Sequence, residues 1–187
     1  DIHRVRLSLP YFREFGWDPV VLAVAHEHAE DIHEPLLLET VPSEVPVHRV
    51  RALPVRLMRT LGVGAIALRA LPFLFGEGMC MIRHYRPDLV YISTTAFQAM
   101  VLGRLWKDRT GIPFVLDMQD PWVPEPDQIY VARNGLKHRL AARLHATLEP
   151  WTMRRVSGLI AVSDSYNQVL RRRYPWIATE VCTVLPF

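Results

Sequence analysis

Nowhere does the chain contain eighteen uncharged apolar residues in a row; the greasiest stretch, Leu61 to Phe75, is short and carries Arg69, so no membrane-spanning helix is predicted. Cysteine is scarce: Cys80 and Cys182 stand far apart and outside any CxxC or Cys/His spacing, which argues against a disulfide framework and against a structural zinc site. A reducing cytoplasm is the simplest setting. A Gly-rich phosphate loop and a nucleophile elbow are both missing, which weighs against a complete small enzyme such as a metal-dependent phosphatase or nucleotide hydrolase. So is the D-x-D pattern of phosphatases. His26, Glu27, His28 and His33 lie close in sequence, but not at the HExxH spacing that puts ligands on one helical face, and a loop of this composition is ordinarily solvated. Asp117 and Asp120 have carboxylates suited to magnesium, but no metal is expected. Excess charge is slight, 22 Lys and Arg against 19 Asp and Glu. That balance permits contact with anionic lipid or phosphate without demanding it, and no nucleic-acid partner is expected. The chain opens without a basic, apolar signal segment and starts abruptly inside a helical pattern, so an earlier segment is expected.

Proline is plentiful, with 15 residues placed mostly between candidate elements, where it acts as loop punctuation. Ile2, Val5, Leu9, Phe12 and Phe15 recur at steps of three and four, and Gly16 follows where a helix ends in a left-handed residue, so a helix disturbed at Pro10 is predicted. Apolar runs at 18–25, 47–50, 88–93, 112–117, 158–163 and 181–185 read as strands. Between them lie helical patterns at 55–85, broken near Pro72 and Gly76, at 95–109, and over Leu136, Leu140, Leu144, Leu148 and Trp151. A further helix ends at Arg173 and is capped by Ser163 or Asp164. Strands alternating with helices predict an α/β fold of Rossmann-like type, a parallel sheet with helices on both faces, over 1–187 as a single domain. Ligands of such sheets bind beyond the carboxyl ends of the strands, at the loops that start with His26, Ser93, Asp117 and Ser163.

Four passages in order carry a resemblance. They are Arg86-Pro-Asp-Leu-Val-Tyr-Ile-Ser93, Gly111-Ile-Pro-Phe-Val-Leu-Asp-Met-Gln-Asp-Pro-Trp122, Leu148-Glu-Pro-Trp through Gly158-Leu-Ile-Ala-Val-Ser163, and Thr183-Val-Leu-Pro186. Together they resemble the N-terminal, acceptor-side domain of family 4 glycosyltransferases with the GT-B fold. The resemblance implies a first strand and Gly-Gly loop before Asp1 and a donor-binding domain after Phe187, neither of which is in this chain. It implies transfer of a sugar, with retention of configuration, from a nucleotide-diphosphate sugar to a glycan or glycolipid. The donor would bind mainly the C-terminal domain, and no other cofactor is implied. Many relatives have a His where this chain has Gln119, so a catalytic histidine does not carry over; Asp117 to Trp122 is closest to relatives that read D-x-R-D-P-W.

Transfer of this kind needs an oriented acceptor hydroxyl and a stabilised leaving phosphate. Asp120 and Gln119 are the candidate catalytic residues, since a carboxylate accepts from a sugar hydroxyl and an amide both donates and accepts. Ser93, Thr94, Gln119, Asp120 and Trp122 are the candidate acceptor-binding residues, and the resemblance places Ser163 near the interdomain cleft. Each has a plainer reading. Asp120 caps the turn ahead of Pro121, Trp122 covers the core instead of stacking on a sugar, and Ser93, Thr94 and Ser163 cap helices. Arg49, Arg51, Arg56, Arg59 and Arg69 punctuate an apolar segment, which reads either as a helix on the anionic inner face of a membrane, where a lipid-linked acceptor resides, or as an ordinary domain helix. The rival to an enzyme is a non-catalytic Rossmann-like module that binds a nucleotide or a protein.

Overall fold

The computed structural model describes residues 3–28, 41–60, 64–123 and 136–186, which divide into two compact units, 1–86 and 87–187. In the first, β1 (Val21–Val24) pairs in parallel with β2 (Val47–Val50), Val21 opposite Val47 and Val24 opposite Val50. The valines at both ends of each strand suit a pleated, half-buried surface. Before them, α1 (His3–Ser8) gives way at Leu9 to a 3-10 segment that ends at Phe15. Pro10, which has no N–H to give, sits at this change, and Gly16 closes the segment at φ 77° with its N–H on the Arg13 carbonyl. The break foreseen at Pro10 is therefore present; Ile2 and His33 lie outside the described residues.

Among the described residues this unit also carries two helices, α2 (Val55–Thr60) and α3 (Ile66–Tyr85). The break expected near Pro72 and Gly76 is not there: α3 runs unbroken through both. A proline inside a helix costs about 3 kcal/mol, and here one continuous buried face, Ala67, Ala70, Leu74, Gly78 and Ile82, supplies the opposing term. Arg69 is on that inward side, 3% exposed. Its guanidinium donates to the carbonyls of Leu53 (2.8 Å), Gly64 (3.1 Å) and His28 (3.1 Å), tying three loops together. Arg69 thus belongs to the interior of its unit and presents no charge to a lipid surface, whereas Arg51 is exposed and lies over the Phe73 ring at 4.8 Å.

The second unit is a four-stranded parallel sheet in sequential order, β3 (Val90–Ser93), β4 (Phe114–Met118), β5 (Gly158–Ala161) and β6 (Cys182–Val184). Parallel neighbours need a crossover, and each connection here carries a helix: α4 (Val101–Thr110), entered through a 3-10 turn at Phe97–Met100, then α5 (Leu136–Met153), then α6 (Asp164–Arg173). Parallel sheets flanked by helices make the α/β, Rossmann-like class a finding. The core centres on β4, where Phe114, Leu116, Asp117 and Met118 are fully covered, with Met100, Met153, Leu159 and Leu170 packed about them. Full burial of such apolar side chains stabilises by about 1.5–3 kcal/mol each. Gly103 permits the approach of α4, since a Cβ there would lie 2.4 Å from the Phe114 ring.

In α5 the buried side differs from expectation. Leu140 and Leu144 are 68% and 38% exposed, while Glu149, Thr152 and Met153 are covered. Steps of four residues overshoot a full turn by about 40° each, so a stripe written at such steps winds around the helix instead of staying on one side. The covered residues sit instead at i, i+3 and i+4 near the helix end. Among the described residues no helix is long and apolar enough to cross a membrane.

Candidate functional site

Because β3 to β6 run the same way, their carboxyl ends form one rim of the second unit. It carries Ser93 at the end of β3, Gln119 and Asp120 just past β4, and Ser163 just past β5. The pleat decides what meets there. Residues two apart share a face, and Ser93 is opposite Asp117 in the register, so Tyr91, Ser93, Asp117 and Gln119 lie on one side of two adjacent strands.

Their side chains join. Asp117 Oδ2 accepts from Ser93 Oγ (2.7 Å), Tyr91 Oη (2.9 Å) and Gln119 Nε2 (3.3 Å), and Gln119 Nε2 also donates to Ser93 Oγ (2.9 Å). Asp117 is wholly buried and Gln119 is 8% exposed; three donors on one oxygen offset the loss of water that burial imposes on a carboxyl group. The cluster also settles the orientation of Gln119. Its two neighbours, an aspartate oxygen and a hydroxyl already donating to that aspartate, both need a donor, so the amide N–H must face them and the carbonyl Oε1 is left for another group.

Asp120 differs in kind. It is exposed, and among the described residues its carboxylate makes no capping hydrogen bond; only its backbone carbonyl is held, by Tyr166 Oη at 3.3 Å. Trp122, by contrast, is 2% exposed and stacks on Phe97, ring centroids 6.1 Å apart and planes 13° from parallel. An open indole face for a sugar ring is therefore absent, and the covering role fits: Trp122 fills the space beneath the loop. Thr94 Oγ1 accepts from the Ala96 amide (3.0 Å), a turn-forming bond. Ser163 caps α6 by accepting from the Tyr166 amide (3.4 Å) and also contacts Ser165 Oγ at 3.0 Å. So Ser93 and Gln119 come together at the rim, with Asp120 exposed beside them in the chain, while Thr94 and Ser163 are engaged in local backbone geometry and Trp122 in packing.

Two residues of this site were not singled out from sequence for the role they have. The pattern puts Tyr91 in an apolar strand and Asp117 at the start of a rim loop with a carboxylate suited to magnesium, neither as an acceptor-binding residue. Period-two alternation along β3 and β4 places them on the Ser93 and Gln119 face, but the pairing register was needed to bring the two strands into contact. Tyr166 and Tyr174, near Glu149, have phenols pushed well above the usual range, first by burial and then by the neighbouring Glu149 carboxylate; both are neutral donors at ordinary pH. His26 Nδ1 lies 3.5 Å from the Glu27 carboxylate in the first unit, and no group of three or more His, Cys, Asp or Glu converges among the described residues.

A family model described as glycosyl transferase 4-like domain matches residues 4–187. No curated protein matches the chain.

Proposed function

From the premise that the chain belongs to the glycosyl transferase 4-like domain family, we propose that it supplies the acceptor side of a GT-B enzyme that moves a glycosyl unit from a nucleotide-diphosphate sugar to a glycan or glycolipid. The observation that carries this reading is the rim itself. The carboxylate of Asp120, exposed and without a side-chain hydrogen bond among the described residues, follows directly in the chain on Gln119, and Gln119 is fixed by Asp117 and Ser93.

In such a transfer the acceptor oxygen bonds to the anomeric carbon as the bond from that carbon to the donor phosphate breaks, and the electron pair leaves with the nucleoside diphosphate. Asp120 accepts a hydrogen bond from the acceptor hydroxyl, aims a lone pair of that hydroxyl's oxygen at the anomeric carbon, and takes up the hydroxyl proton as the new bond forms. Gln119 Oε1 accepts from a neighbouring hydroxyl and fixes the ring. Because Asp117 and Ser93 hold Gln119 before the ligand arrives, little ordering remains to be done on binding. Charge on the departing phosphates would be met by a second, donor-binding domain. A lipid-linked acceptor would be met at an anionic membrane surface by the exposed arginines of residues 49–59, without Arg69.

The test is a transfer assay on the intact protein with a panel of nucleotide sugars and glycan or lipid extracts as acceptors. Asp120→Asn is expected to lower acceptor kcat/KM by about tenfold to a hundredfold, the range for a positioned proton acceptor. Full activity in that variant would remove Asp120 from the acceptor site, and nucleotide binding with no transfer to any acceptor would replace this reading with the non-catalytic module.

A further inference from the structure

Beneath the rim lies a second polar cluster that the transfer chemistry leaves unused. Glu149, in the last turns of α5 and wholly buried, accepts on Oε2 from Tyr174 Oη (2.6 Å) and Arg173 Nη1 (3.0 Å), and on Oε1 from the Val123 amide (3.4 Å). Arg173 Nη1 also donates to the Val123 carbonyl at 2.8 Å, so both polar groups of that residue's backbone are held. Near the start of α6, Tyr166 Oη donates to the Asp120 carbonyl and accepts from the Trp122 amide, each at 3.3 Å.

Strand pairing between β4 and β5 ends at Met118 opposite Ala161, and Pro121 has no N–H, so the sheet does not fix the loop after β4. Four backbone groups between Asp120 and Val123 are instead held by side chains of α5 and α6, and Tyr174 just past α6 holds Glu149. A buried ion pair is a poor source of stability, because apolar residues of the same volume serve about as well. What it supplies is direction.

We propose that Glu149, Arg173, Tyr174 and Tyr166 form a positioning clamp for the loop Gln119–Val123. The clamp sets where the Asp120 carboxylate stands, so acceptor geometry is governed from helices behind the rim. That last consequence rests on the acceptor reading given above; the clamp itself does not.

The test uses Tyr166→Phe and Glu149→Gln in the full-length protein, with hydrogen exchange followed in peptides covering 119–123 and, as reference, 90–93 and 114–118. Tyr166→Phe removes one hydroxyl from a retained ring and keeps the fold; Glu149→Gln keeps the volume and removes the charge. Loop exchange is expected to rise about tenfold in each, the size of one lost hydrogen bond to a buried or charged partner, with the reference strands unchanged. Acceptor KM is expected to rise severalfold in Tyr166→Phe with donor KM unmoved, whereas a residue that only supports folding would lower kcat with the active fraction and leave KM alone. Wild-type loop exchange in both variants overturns the clamp. Faster loop exchange in a protein that transfers no sugar keeps the clamp and removes the acceptor reading.

Discussion

Asp117 and Asp120 are three residues apart and carry the same side chain, yet the structure assigns them opposite sensitivities. Replacing Asp117 by Asn leaves one carbonyl oxygen, which can accept from two of the three donors now on Oδ2, Ser93, Tyr91 and Gln119. At least one buried donor loses its acceptor, at about 1–3 kcal/mol. The net loss is about 2 kcal/mol, measurable as a shift of the urea midpoint at unchanged slope. Tyr91→Phe removes one donor and no acceptor, so about 1 kcal/mol is expected, and a double-mutant cycle between the two should return a coupling of about 1 kcal/mol. Asp120→Asn, at an exposed carboxylate with no side-chain hydrogen bond among the described residues, should change stability by no more than about 0.5 kcal/mol. An Asp117→Asn protein that unfolds within about 1 kcal/mol of wild type would refute the hub, and an Asp120→Asn protein destabilised as much as Asp117→Asn would refute the division between them.

Three further outcomes are expected. Glycine substitutions should split in sign: Gly76→Ala, in α3 with nothing within 4 Å of the added carbon, should stabilise by about 0.5–1 kcal/mol, while Gly103→Ala, which drives a carbon to 2.4 Å from the fully buried Phe114 ring, should destabilise despite the same gain in helix propensity; thermal melts read both. Arg69→Met keeps the apolar stem but strips the donors from the Leu53, Gly64 and His28 carbonyls, with an expected loss of about 3 kcal/mol by denaturant titration. Asp108 accepts from Arg104 at 3.1 Å and Arg155 at 3.0 Å; burial acts to raise its carboxyl, but the two guanidiniums outweigh it and hold the value below the usual aspartate range. A depressed folded value means stability that is present above the ordinary aspartate pKa and lost as pH falls through the folded one, so the gap between wild type and Asp108→Asn should be open at neutral pH and close on acidification; a gap independent of pH down to strongly acid conditions would contradict the pairing.

Much of the fold was legible because the signals are local. Val47–Val50 was read with its observed bounds, β4 overlaps the run at 112–117 and extends one residue past it, and Ser163 caps the helix that ends at Arg173. The failures are where a long-range term outweighs a local one. Pro72 and Gly76 are ordinary breaking signals, but α3 persists across them because its inward face is buried along the whole length. The leucines of α5 at 140 and 144 form an apolar pattern, but the packing of Glu149, Thr152 and Met153 chose a different side.

For the site, sequence alone determined which residue types lie at strand ends: the order and spacing of Ser93, Gln119, Asp120 and Ser163 come from alternation and turn chemistry, which depend on near neighbours in the chain. Tertiary structure alone decided their roles. Ser93 and Asp117 are 24 residues apart, and their contact exists because a parallel crossover sets them opposite each other in the register. Burial then separated Trp122, enclosed against Phe97, from the exposed Asp120 two residues before it. Register and burial are properties of how distant segments pack, and no pattern within a single strand encodes them.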